Sequence, residues 1–124
     1  MNASESSRTP ADLHDLRDRL REFASEREWD QFHSPKNLAI ALSVEASELL
    51  EHFQWMTVEQ SHALSGEEIL AIRKEMADVL LYLIRLADKL DVGLLEAAGE
   101  KLAENAKKYP VEKARGTSKK YTDL

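Results

Sequence analysis

The sequence predicts an all-α, four-helix bundle-like domain, and three observations carry that prediction. Only four Gly and three Pro interrupt 124 residues rich in Leu, Ala, Glu, Lys and Arg, which lose little on entering a helix. Apolar residues recur at spacings of three and four, as in Leu13, Leu16, Leu20 and Phe23. No stretch alternates as a half-buried strand does, and no internal repeat is visible.

Residues 1–8 are Ser-rich and polar, and segment 1–9 is expected to be disordered. Thr9 followed by Pro10, with Asp12 three positions after Thr9, reads as an N-cap with Pro at the first helical position. That helix should run to about Glu28. Trp29 to His33 breaks the period and reads as a loop. Ser34-Pro35 repeats the cap pattern and opens a second helix reaching about Trp55. Thr57 with Gln60 matches a capping box over a short turn, and Ser65 with Glu68 matches another. The second box opens a third helix from about Gly66 to Leu90. Its half VLLYLIRLA is apolar on most sides, as expected at the centre of a bundle or in a subunit interface. Asp91 is a candidate cap for a fourth helix, which must end near Lys108 because Pro110 cannot continue it. Residues 111–124 show no periodicity.

This length fits one domain, expected over residues 10–124 with a basic C-terminal tail. Hydrophobic content of 43% supports a core. The absence of Cys excludes disulfides, thiolate catalysis and thiolate metal sites. With no signal peptide and no apolar run of about 18 residues, a soluble cytoplasmic chain with no membrane partner is expected. The net charge of −6 is uneven. Residues 101–124 carry seven Lys or Arg against Glu104, Glu112 and Asp123, so a basic tail follows an acidic body. Such a tail can be solvated, can bind nucleic acid, or can reach phosphates.

Four carboxylates stand out against this background. Glu45 and Glu48 lie in VEASEL, and Glu75 and Asp78 in KEMADVLL. Residues three apart are neighbours on a helix surface, so each pair shares a face. One ExxE pair is usually a solvated face; two pairs inside apolar stretches pose a charge problem that needs compensation. With Glu45 at 0°, Leu38, Leu49, Leu42 and Phe53 fall between about 20° and 80°, and Glu48, His52 and Trp55 between about −20° and −80°. With Glu75 at 0°, Leu86, Val79, Ile72 and Leu83 occupy the same apolar arc, and Asp78, Tyr82 and Arg85 the same polar one. Helices packed through their apolar arcs can therefore turn both acid pairs into one cleft. An all-oxygen cluster suits a hard cation, Mg2+ or Mn2+, and Mg2+ is commonly bound together with substrate phosphates. Glu51 lies farther round the helix and reads as solvent-facing, and no His has zinc-site spacing. Trp29, Phe32, Trp55 and Tyr82 are placed to stack on a nucleobase, or to serve as ordinary core aromatics.

The segments EFASEREWDQFHSPKNLAIALSVEASELLEHFQW, EMADVLLYLIRLAD, ENAKKYP and KKYTDL resemble the all-α nucleoside triphosphate pyrophosphohydrolases of the MazG type. Within that family they most resemble the dCTP pyrophosphatase branch, and the match covers nearly everything after residue 10. The resemblance implies cleavage between the α and β phosphorus atoms to monophosphate and pyrophosphate, for nucleotide-pool control. It implies Glu45, Glu48, Glu75 and Asp78 as Mg2+ ligands. Among these, Glu48, with Glu45 beside it, is the candidate catalytic carboxylate that accepts the attacking water's proton. The resemblance places Trp29, Asp30, Gln31, Phe32, His33, Trp55 and Tyr82 about the base and sugar. Asn105, Lys108 and Tyr109 fall in its phosphate-side segment, and Lys119, Lys120 and Tyr121 in its closing one. Where some relatives carry a pocket His on the first helix, this chain has Leu20. The family implies a dimer or dimer of dimers, consistent with the very apolar third helix, and no stable nucleic-acid partner is expected. Two alternatives remain open from sequence: a broader or dUTP-directed specificity, and a non-enzymatic helical module with a basic tail.

Overall fold

The computed structural model describes residues 8–124, so most of the polar segment expected to be disordered lies outside the described residues. The chain divides after Asp91 into two compact units. The first holds α1 (Leu13–Glu26), a 3-10 turn (Trp29–Gln31), α2 (Pro35–Glu51), the short α3 (Val58–Ser61) and α4 (Gly66–Lys89). The second holds α5 (Leu94–Lys108), α6 (Val111–Ala114) and a 3-10 turn (Tyr121–Asp123). No strand occurs among the described residues.

The first helix opens later than Thr9-Pro10 suggests. Asp12 is its N-cap, accepting from the Asp15 backbone at 2.8 Å, while the Asp15 carboxylate accepts from Ala11 N at 2.9 Å. Two carboxylates on free N–H groups, at the positive end of the helix, out-compete a Thr hydroxyl. It also ends two residues early, because Glu28 turns into the left-handed region at φ 56° and starts the Trp29–Gln31 turn. The Ser34 cap forms as expected, its side chain accepting from Asn37 N. α2, however, stops at Glu51. Beyond it the backbone tightens into successive turns, Phe53 N donating to Leu50 O and Met56 N to Phe53 O, both at 2.9 Å.

Both capping boxes are present in full. Gln60 and Glu68 return hydrogen bonds of 2.9 Å to the backbone N–H of Thr57 and Ser65. α4 ends one residue before Leu90. Asp91 does not cap the next helix: it adopts φ 53°, and extended Gly93 is the N-cap of α5. The end of α5 at Lys108 follows from Pro110. Gly116, at φ 76°, allows the reversal between α6 and the last turn, a conformation that costs most side chains. The two short turns of residues 111–124 carry too few residues to show a period.

In the first unit α2 packs along α4, and α1 lies against α4 as well. Ala24, Leu38, Ile72, Ile84 and Ala87 form the buried core. Leu38 and Ile72 come from the two predicted apolar arcs. Leu83, at the rim of its arc, is exposed instead.

Candidate functional site

Packing α2 along α4 brings Glu45, Glu48 and Glu75 together, with one carboxylate oxygen of each within 4.8 Å of the others. All three are half-buried. Two like charges at that separation repel by about 3 kcal/mol at an effective dielectric near 20. The Glu45 carboxyl is accordingly pushed up to about 7, first by burial, then by its hydrogen bond to Glu48, and further by the charges of Glu48, Asp78 and Glu75. Glu45 Oε2 and Glu75 Oε2 are sealed from solvent and have no hydrogen-bond partner. Buried acceptors without donors are costly. His52 Nε2 approaches the other Glu75 oxygen, Oε1, at 3.6 Å, beyond hydrogen-bond reach, and leaves Oε2 unpaired. Orphaned oxygens, crowded charge and a donor set made of carboxylates all fit a hard divalent cation. The acidic cluster can therefore hold a metal ion.

α1, the Trp29–Gln31 turn and α4 line an open cavity of about 230 Å3. Leu20, Phe23, Ala24, Trp29, His33, Asp78, Leu81, Tyr82 and Arg85 line it. Pockets that bury a drug-sized ligand measure roughly 300–1,000 Å3, so this smaller space suits one ring system. Trp29 stands between the Phe23 ring, at 5.6 Å and 73°, and the His33 ring, at 6.1 Å and 62°. Asp78, expected as a fourth ligand, lies outside the group of three glutamates whose oxygens meet; it lines the cavity, and its charge adds to the rise of Glu45.

Behind His33 runs a charged network. The buried Arg85 pairs with Asp30 and approaches Asp88 at 3.5 Å. Lys89 reaches Asp30 at 3.0 Å, and Arg21 donates to Asp88 at 2.7 Å. The hydrogen bond from Lys89 holds the Asp30 carboxyl below its ordinary value, and that from Arg21 does the same for Asp88. Burial, then the Arg85 charge, lowers His33.

Of the sequence-selected residues, Asp78, Trp29, His33 and Tyr82 meet at the cavity. Asp30, Gln31 and Phe32 do not line it. Asp30 is spent in ion pairs, the Gln31 amide donates to Glu28 O at 2.9 Å, and Phe32 is 60% exposed. Trp55 is 88% exposed and also lies off the cavity wall. Phe23 and Leu81 read in the sequence only as apolar core positions. Arg85 carried a signal, since it shares the polar arc of Asp78 and Tyr82.

Within the second unit, the two C-terminal segments meet. The Tyr109 and Tyr121 rings lie 6.0 Å apart at 79°, and Lys108 Nζ sits 5.0 Å above the Tyr121 ring. Glu104, 3.1 Å from Lys108, raises that amine above its ordinary value. Asn105 is half-buried, and Lys119 and Lys120 are exposed.

Residues 40–124 match the MazG-like family, to which this chain belongs. dCTP pyrophosphatase 1 of Bos taurus is 45% identical over 114 residues, spanning 90% of this chain and 68% of its own length. The Homo sapiens protein of the same name is 44% identical over 114 residues, spanning 90% of this chain and 67% of its own. A crystal structure of a pyrophosphatase from Archaeoglobus fulgidus superposes with a TM-score of 0.75 at 39% identity, covering 79% of this chain and 92% of that one. Among the described residues no helix is long and apolar enough to cross a membrane.

Proposed function

We propose that this chain is a Mg2+-dependent pyrophosphohydrolase that converts dCTP, or a modified dCTP, to the nucleoside monophosphate and pyrophosphate, serving nucleotide-pool control in the cytoplasm. The observation that carries this reading is the convergence of Glu45, Glu48 and Glu75, with Glu45 Oε2 and Glu75 Oε2 sealed from solvent and without donors. It supports a site for phosphate-bound metal, and the cavity lined by Trp29, Asp78 and Tyr82 supports a site for a base. The similarity to proteins named dCTP pyrophosphatase 1 supports cytosine as that base.

Glu45, Glu48, Glu75 and Asp78 are the residues that would hold Mg2+, or Mn2+ in its place. When bound, such a cation neutralises phosphate charge and lowers the pKa of a water molecule. Glu48 is assigned as the acceptor of the attacking water's proton, and Glu45 supports it from the same helix face. Trp29 and Tyr82 orient the base, and the apolar wall of Leu20, Phe23 and Leu81 excludes water. We assign Asn105, Lys108, Tyr109, Lys119, Lys120 and Tyr121 to substrate binding on sequence resemblance alone. No covalent intermediate is required.

The reading is tested by kcat/KM across dCTP, 5-methyl-dCTP, dUTP, dTTP and ribonucleotides. A preference for the two cytosine deoxynucleotides supports it; equal rates across the panel would replace it with a broad-specificity enzyme. Trp29→Ala should raise KM for dCTP roughly tenfold, since base–aromatic stacking contributes about 1–3 kcal/mol. An unchanged KM would remove Trp29 from the base site.

We also propose self-association. Ile69, Met76, Leu80 and Leu83 form one exposed apolar stripe along α4. A second copy of the chain would cover it, giving a dimer or a dimer of dimers. Sedimentation equilibrium should return twice or four times the monomer mass of 14.1 kDa; a monomer at micromolar concentration contradicts this.

A further inference from the structure

Arg85 is 5% exposed, and its guanidinium is held at three edges. One Nη donates to Asp30, the other approaches Asp88, and Nε donates to His33 Nδ1 at 3.2 Å. Lys89 and Arg21 fix the two aspartates in turn. A guanidinium has donors only, so the direction of the bond to His33 is not ambiguous. Nδ1 accepts, and a neutral imidazole must then carry its one proton on Nε2. Nδ1 is thereby committed away from any ligand. His33 lines the cavity, leaving Nε2–H as the ring atom able to meet a bound molecule.

We propose that Arg85 is a positioning residue that locks His33 in the Nε2–H tautomer, so that the cavity presents a hydrogen-bond donor to an acceptor atom of the bound heterocycle. The identity of that heterocycle rests on the dCTP reading, and the tautomer does not. Cytosine carries acceptors at N3 and O2 beside its N4 donor, so a fixed donor on the wall meets a complementary atom. The opposite tautomer would set a lone pair against those acceptors. Burial and the neighbouring guanidinium keep His33 below its ordinary pKa, which favours the neutral ring that this arrangement requires.

Long-range 1H–15N correlation of the His33 ring in the free, full-length protein tests the tautomer directly. The expected wild-type result is a protonated Nε2 and an unprotonated Nδ1. Arg85→Met removes the donor while leaving Asp30 with Lys89 and Asp88 with Arg21, so a mixture of tautomers should appear. Arg85→Lys serves as the second variant should Arg85→Met fail to fold, since it keeps the charge without the guanidinium Nε–H. KM for dCTP should rise roughly fivefold, as for one lost hydrogen bond, with kcat nearly unchanged. In a His33→Leu background the same substitution should add nothing to KM. A wild-type ring protonated at Nδ1, or a KM effect of Arg85→Met that persists without His33, overturns the proposal. A wild type inert toward dCTP overturns the enzymatic reading instead, and the NMR result still decides the tautomer.

Discussion

Glu48→Gln should reduce dCTP hydrolysis at least about 100-fold, the lower range for loss of a positioned proton acceptor, with the helical fold intact. Gln matches Glu in shape, so the packing of α2 on α4 survives. It cannot take a proton from water, and it removes one negative charge from a cluster whose oxygens lie within 4.8 Å of one another. An ordinary surface acid would show neither effect, since substitutions away from such clusters change stability by only about 0.5 kcal/mol and leave turnover alone. Steady-state kinetics beside circular dichroism melts separate the cases. Retained turnover would mean that Glu48 is not the acceptor, and collapse of the fold would mean that the cluster is structural. The metal-free melting temperature of the variant should be no lower than that of the wild type, because a repulsion has been removed.

Stripped of divalent cations, the wild type should lose stability relative to Glu45→Gln as pH rises from about 5 to 8. The Glu45 carboxyl ionises near 4.5 when unperturbed and is pushed up to about 7 in the folded chain. Between those values the folded state holds the proton more tightly than the unfolded state. Raising the pH through this window therefore costs the folded state, and the loss is complete above about 7. His33 acts in the opposite sense: its folded pKa lies below 6.5, so rising pH favours folding there. Asp30 and Asp88, both lowered, contribute stability that is lost only at more acid pH. Referring the wild type to Glu45→Gln cancels these other groups. Mg2+ at 100 times its dissociation constant should then add about 2.7 kcal/mol to the wild type, and less to the variant. Urea unfolding at several pH values, with and without Mg2+, reads both effects. Parallel pH profiles for the two proteins would show that Glu45 carries no such strain.

The helical class and the pairing of acids were legible because they depend on local periodicity. The Ser34 cap, the Ser65 capping box and the 3.6-residue repeat locate α2 and α4, and the apolar arcs predict which faces meet. Helix ends were less legible where two signals compete. Asp12 displaced Thr9 because a charged cap at the positive helix end is stronger, and the Glu28 reversal left no mark in composition. The cavity illustrates a second limit. Trp29 and His33 reach it and Phe32 does not, although all three sit in one five-residue loop, because the Trp29–Gln31 turn rotates successive side chains to different sides. Periodicity assigns no direction to such a turn. Arg85 shows a third limit: its helix face could be read, but its partners Asp30 and His33 lie more than fifty residues away in sequence. Only folding brings them together.

The most direct test of the central claim is product analysis after metal-stripped protein is incubated with dCTP, with Mg2+ restored in one sample and chelator kept in the other. Our account predicts dCMP and pyrophosphate in equal amounts, only where Mg2+ is present. Formation of dCDP and phosphate, or equal turnover in the chelated sample, would contradict it.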